Sequence, residues 1–386
     1  MSVPSERPLP DPETVIDALE VVAQSGILGS ADPMIFDVGT EGFLAFFDRE
    51  LLSDLVAHGG STCRFIEGGY GAGKTHLLHL LRGLALERGM TVIQTDLNQD
   101  LGLDDWYPIT KTILQHIEAR IDGVDVRGLP HILEALRRSG RSATASLHGI
   151  SLPHVGFRNA MMYGVTEDDP PADLNRYLHG ERVSARRLLE QGLPGVKEPL
   201  ARRNSEVVLA TVCAALQRFG LAGTMLLFDE TEQTMVSERA VVSTKMRVAA
   251  NLMRRLIDGC MTGRQVWTAV VFAVLPGFIE TCTRQYPALG QRLEMARGQD
   301  VVPAWRWPVL PIDAVTMAGD PGDFLRGAVE RFVLLVGHCG GDESGLKGAL
   351  MDAGNEALAE QAGSGYRRPL MKRLATISLQ RLEMAV

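Results

Sequence analysis

The stretch from Cys63 to Leu81, CRFIEGGYGAGKTHLLHLL, constrains this chain more than any other. Gly68-Gly69-Tyr70-Gly71-Ala72-Gly73-Lys74-Thr75 satisfies G-x-x-x-x-G-K-[ST], the Walker A pattern, between an apolar run that reads as a buried strand and one that reads as a helix. Glycines let the backbone curl so that its N–H groups turn inward onto phosphate oxygens. The helix starting near Lys74 adds its positive dipole end. In that reading Lys74 reaches the β- and γ-phosphates and the Thr75 hydroxyl ligates Mg²⁺. The alternative, a glycine-rich turn in a metabolic enzyme, is weighed against by the strand–loop–helix context.

The surroundings extend this unit. The helix after the loop ends at Gly89, and MTVIQTDL is a second strand, so the order is that of a βαβ crossover in a parallel sheet. TMLLFDE (224–230) and VWTAVVFAVLPG (266–277) are further strands, and WPVLPI (307–312) is a fifth, although its prolines suit a sheet edge better than a centre. Ahead of the loop, ETVIDALEVVAQSGIL is a helix ending near Gly26, and Phe43, Leu44, Phe47, Leu51 and Leu55 mark another that stops at Gly59-Gly60. Between about 107 and 220 only helical stretches are legible, among them ITKTILQHIEARI and NSEVVLATVCAALQRFG. Helical periodicity returns beyond 313. The expected organisation is an N-terminal arm and helix over 1–30, a P-loop NTPase α/β domain over 31–312 with a helical insertion at about 107–220, and a small helical lid over 313–386.

A P-loop alone does not separate hydrolysis from phosphoryl transfer, so the second motif decides reaction type. In MLLFDE, a Walker B pattern, four apolar residues deliver Asp229 to the carboxyl edge of the sheet, where it holds Mg²⁺. Glu230 follows, suited to orient and deprotonate the attacking water. The alternative is a core strand followed by a helix cap. The fourth strand ends in FAVLPG, with Val274 and Leu275 where a polar contact to the γ-phosphate or water is expected, and Thr268 lies at its other end. Slow basal hydrolysis, unless a partner completes the site, is the expectation. Of the arginines that follow, Arg284, Arg292 and Arg297, Arg292 is the candidate arginine finger. In GYRRPLMKRL, Arg367 or Arg368 opens a helix with Pro369 in its first turn, and Arg368 is favoured as a γ-phosphate sensor. For each of these arginines a surface ion pair is the competing reading.

Composition bounds the rest. With 39 basic and 47 acidic residues the formal charge is −8, which argues against wrapping nucleic acid through the overall field. Arginine doublets at 137–138, 186–187, 202–203 and 254–255 leave local basic patches open as DNA contacts, with solvated helix faces the competing reading. The five cysteines show no ligand spacing and read as reduced thiols of a cytoplasmic protein. No apolar run is long enough to span a membrane, and the N-terminus carries no signal-peptide pattern.

Several of these pieces resemble one family, the P-loop ATPases of bacteriophage-exclusion (BREX) defence loci, BrxD-like and AAA+/STAND-like. They are FIEGGYGAGKTHLLHLL with Tyr70 and His76, LLFDETE, YPALGQRL, RRPLMKRL, and VGTE from Val38 to Glu41. The resemblance implies ATP rather than GTP, with Mg²⁺, and a five-stranded parallel core of order 5-1-4-3-2. It also implies a turn at Val38 that packs near the adenine, and service in an antiphage or DNA-associated complex, often beside a helicase. An ATP-dependent homo-oligomer would suit a finger supplied by a neighbouring subunit. Two readings follow: an ATPase whose cycle drives or licenses a partner, and a nucleotide-gated switch or scaffold with little turnover. A small-molecule kinase is a weaker third, since no second substrate motif is present and Asp229-Glu230 favours water as the acceptor.

Overall fold

The computed structural model of the protein describes residues 8–29, 31–141, 147, 152–235, 239–297, 304–316, 320–360 and 364–384. In chain order the helices are α1 (Pro12–Ser25), α2 (Glu41–Phe46), α3 (Lys74–Glu87), α4 (Trp106–His116), α5 (Leu129–Arg138), α6 (Val155–Thr166), α7 (Ala172–Leu178), α8 (Ala185–Glu190) and α9 (Ser205–Arg218). They continue with α10 (Arg239–Met261), α11 (Phe278–Gln285), α12 (Pro287–Arg297), α13 (Ile312–Val315), α14 (Pro321–His338), α15 (Leu346–Glu360) and α16 (Arg367–Glu383). The strands are β1 (Ser61–Glu67), β2 (Thr91–Asp96), β3 (Glu118–Ile121), β4 (Val124–Arg127), β5 (Thr224–Asp229), β6 (Thr268–Val274) and β7 (Val309–Pro311).

The strands form one sheet of order β4-β3-β2-β5-β6-β1-β7. β2 pairs parallel with β5, β5 with β6, and β1 with β7. The sheet has seven strands rather than the expected five. The five expected strands stand in the expected order, β7-β1-β6-β5-β2, and the two extra ones are an antiparallel hairpin, β3 and β4, added beside β2. That hairpin corrects the reading of 107–220 as helical only. The helix expected to run through Ile121 stops at His116, and Glu118–Ile121 is strand. Its turn is Asp122-Gly123, both with positive φ (51° and 83°), the conformation that Asp-Gly favours in two-residue hairpins. Each strand of the pair is only four residues: β3 alternates buried Ala119 and Ile121 with exposed Arg120, too short a run to be read as a strand, and β4 is mostly exposed. β7 lies at the other edge, where Pro311 costs no ladder bond.

The chain divides into two compact units. One takes in the described residues of Met1–Asp48, Phe65–Leu81 and Gln299–Val386; the other comprises Arg49–Arg64 and Arg82–Gly298. The core of the first unit is helical. Val15, Ala18, Leu19 and Val22 recur at helical spacing in α1 and bury against Leu325 and Phe332 of α14, Leu350 of α15 and Leu370 and Leu374 of α16. Each Val, Leu or Phe side chain among them, fully buried, contributes about 1.5–3 kcal/mol. The helix that starts this cluster is bounded by its own sequence: Asp11 accepts from the Thr14 amide at 3.0 Å, and Gly26 ends it with φ 66°. In the second unit every residue of β5 and β6 is buried, as a parallel sheet covered on both faces requires, and Phe228 stacks on Phe272 with centroids 4.9 Å apart. Among the described residues no helix is long and apolar enough to cross a membrane.

Candidate functional site

Within the first unit, β1 ends at Glu67 and α3 begins at Lys74, so Gly68 to Gly73 form the connecting loop. Lys74 is only 8% exposed, and its ammonium donates to the carbonyls of Gly68 (2.7 Å) and Gly69 (3.1 Å) with the Tyr70 ring 5.7 Å away. An ammonium held among loop carbonyls by donors alone has the valence for phosphate oxygens at the same mouth. Thr75, in the first turn of α3, is exposed, whereas Ala72 is fully buried. Gly71 takes φ +73°, and a Cβ there would lie 2.9 Å from the Gly365 carbonyl oxygen, so both the turn and the close packing require glycine.

The segment opening α16 lies against this loop. Arg367, 5% exposed, donates from one guanidinium nitrogen to the Ala72 carbonyl (2.9 Å) and from another to Asp313 (2.8 Å) and Thr316 (3.0 Å), with the Phe324 ring 4.7 Å away. The favoured sensor, Arg368, sends its side chain elsewhere, to the Ser25 carbonyl at 3.1 and 3.2 Å, and meets the loop through its backbone, whose N–H donates to Gly71 O at 3.2 Å. The sequence signal for Arg367 was present, since both arginines precede Pro369, but it did not separate the two.

The turn carrying Val38 belongs to the same unit. Val38 packs toward Gly327 of α14, and Gly39 (φ +74°) comes so close to the Thr316 carbonyl that a Cβ would sit 2.4 Å from its oxygen. Asp37, before it, is a buried carboxylate that sequence reasoning passed over. Thr40 donates to its Oδ1 at 2.6 Å, its Oδ2 has no hydrogen-bond partner, and His76 Nε2, likewise unpartnered, stands 3.9 Å from Oδ1. Burial pushes the Asp37 carboxyl up to about 6 and the His76 imidazole down to about 4. At neutral pH the pair is therefore a carboxylate facing a neutral ring.

Asp229, Glu230 and Arg292 belong to the second unit. Asp229 closes β5, is 2% exposed, and accepts from the Glu230 amide at 2.9 Å. Glu230 holds φ 51°, a conformation that strains a non-glycine residue, and its carboxylate accepts from Gln233 at 3.1 Å. β6 ends at the fully buried Val274. The Thr268 hydroxyl, at the other end, donates to Val266 O and accepts from Gln265. Arg292 is paired with Asp258 at 2.5 Å, and Arg254 holds the other oxygen of that carboxylate at 2.7 Å. The arginine doublets are largely neutralised: Arg138 by Glu134, Arg186 by Glu190, Arg187 by Asp173, Arg202 by Asp105 and Arg255 by Glu206. Among the described residues no group of three or more His, Cys, Asp or Glu is arranged to hold a metal. Mg²⁺ does not require one, because it is held by one or two protein oxygens with phosphate and water.

Residues 11–125 match the sequence model of the family described as BREX system ATP-binding protein BrxC/D, which bears out the resemblance drawn from the motifs. The matched span contains Asp37, Val38, the whole of Gly68–Thr75 and His76; Asp229, Glu230, Arg292 and the start of α16 lie outside it. No curated protein and no solved structure matches the chain.

Proposed function

Taking the match to BREX ATP-binding proteins as premise, we propose that this chain binds ATP with Mg²⁺ on Gly68–Thr75 and hydrolyses it to drive or license an antiphage-defence complex. The loop N–H groups and the N-terminus of α3 hold the phosphates, and Lys74 exchanges its loop carbonyls for β- and γ-phosphate oxygens. Thr75 and Asp229 would supply oxygen donors to the ion, which would neutralise charge on the transferring phosphoryl group. Glu230 orients a water and takes its proton. The P-loop sequence between a strand and a helix carries the reading, with the family match behind it.

Isothermal titration of ATP and phosphate-release assays test it together. Lys74→Ala is expected to lose binding, and Glu230→Gln to bind ATP while losing turnover; full turnover in Glu230→Gln rejects hydrolysis by this residue.

A second reading, a nucleotide-gated switch or scaffold organising a helicase or other protein partner, is favoured by the apolar end of β6 and by the engagement of Arg292 with Asp258. Full defence activity in Glu230→Gln selects it. Any contact with DNA, in either reading, is made through the protein partner or through local basic patches, although most of the arginine doublets are ion-paired at short range.

A further inference from the structure

The contacts between α16 and the loop assign a role to Arg367 that deepens the ATP-binding reading and rests on it. A trans peptide is planar with its C=O and N–H opposed, so a carbonyl held in one direction fixes the next residue's N–H in the other. Arg367 Nη1 holds the Ala72 carbonyl at 2.9 Å, and the N–H so directed is that of Gly73, the last loop residue before Lys74. One residue earlier, the Gly71 carbonyl accepts from the Arg368 backbone, satisfying one of the donors that a helix N-terminus leaves open.

Backbone meets backbone on both sides: Gly71 has no room for a Cβ against Gly365 O, nor Gly365 against Tyr70 O, where it would lie at 2.6 Å. Arg367 is in turn anchored by Asp313 and Thr316 and lies over Phe324, so its reach to Ala72 depends on the packing of α13, α14 and α16.

We propose that Arg367 is a positioning residue for the phosphate loop. It acts on the loop's backbone rather than on a phosphate, and through it the helical C-terminal segment is part of the nucleotide site. ATP affinity and the order of α16 are then linked.

The test compares ATP affinity, by titration, with the unfolding temperature of nucleotide-free protein for wild type, Lys74→Ala, Arg367→Met, Arg367→Lys and Arg368→Met. Arg367→Met keeps the apolar stem over Phe324 and removes the donors. It is expected to weaken ATP by about 10-fold or more, with Arg367→Lys recovering part of the loss and Arg368→Met staying within about 2-fold of wild type. Amide exchange in 367–383 should slow on adding ATP to wild type and not to Arg367→Met. Should Arg367→Met fail to fold, the pair Asp313→Asn/Thr316→Val, which leaves the guanidinium but removes its anchors, carries the same expectation of weaker ATP.

Wild-type affinity in Arg367→Met, or in Asp313→Asn/Thr316→Val where Arg367→Met does not fold, overturns the inference while ATP binding stands. Absence of ATP binding in wild type removes the ATP-binding reading and the inference with it.

Discussion

The ammonium of Lys74 donates to the carbonyl oxygen of Gly68 at 2.7 Å, so the lysine that the loop pattern assigns to phosphate is also the group that ties the loop's two ends together. Lys74→Met should therefore do two things. It removes ATP affinity by at least about 100-fold, as loss of a charge-assisted phosphate contact implies, and it lowers the stability of nucleotide-free protein by about 1–2 kcal/mol through loss of the carbonyl contacts. Titration calorimetry and urea unfolding of the same variant separate the two effects.

Glu230 occupies φ 51°, where a side chain is costly and glycine is not. Glu230→Gly is expected to stabilise the protein by about 1 kcal/mol and to raise its melting temperature by a few degrees while abolishing ATP turnover. A lower melting temperature in this variant shows that the strain is not relieved by glycine.

Asp258 binds both Arg254 and Arg292. Asp258→Ala leaves two partly buried guanidinium groups without their carboxylate and should cost about 1–3 kcal/mol, more than either Arg292→Ala or Arg254→Ala alone. If Arg292 serves the transferring phosphoryl group, Arg292→Ala lowers kcat and leaves KM near the wild-type value. Unchanged kcat confines Arg292 to its pair with Asp258.

Asp37 and His76 make opposite contributions to the pH dependence of stability. Burial raises the Asp37 carboxyl from 3.8 to about 6, so the folded protein binds that proton more tightly than the unfolded chain. Its contribution is fully present below 3.8 and lost as pH rises through about 6. His76 is lowered from 6.5 to about 4, first by burial and then by His79 and Arg367. Its contribution is present above 6.5 and lost as pH falls through about 4. The two windows overlap and largely cancel in wild type. In Asp37→Asn only His76 remains, and stability should fall as pH drops from 6.5 to 4; in His76→Gln stability should fall as pH rises from 3.8 to 6. Urea midpoints across this range check the signs, and parallel profiles in all three proteins would contradict the assignment.

The legible parts of the site are those in which residues close in sequence act on one another. The loop from Gly68 to Thr75, the apolar strand delivering Asp229, and the caps of α1 are each written within about a dozen residues. There, glycine conformations, side-chain caps and strand burial operate without reference to the rest of the chain. The β3–β4 hairpin was also local, in Asp122-Gly123, but its strands are too short, and β4 too exposed, for periodicity to show them. Asp37 was not legible at all, because nothing in its neighbourhood distinguishes a buried carboxylate from a surface one.

Residue order alone set the strand–loop–helix unit, the succession of the five apolar strands, and the residue types of the candidate phosphate loop. Tertiary structure alone decided which member of the Arg367–Arg368 pair faces the loop. Neighbouring residues on a helix point about 100° apart, and the rotation of α16 is set by Leu370 and Leu374 burying among α1, α14 and α15. That packing turns Arg367 to Ala72 and Arg368 to Ser25, more than 290 positions away in the chain, a separation across which no local pattern carries information.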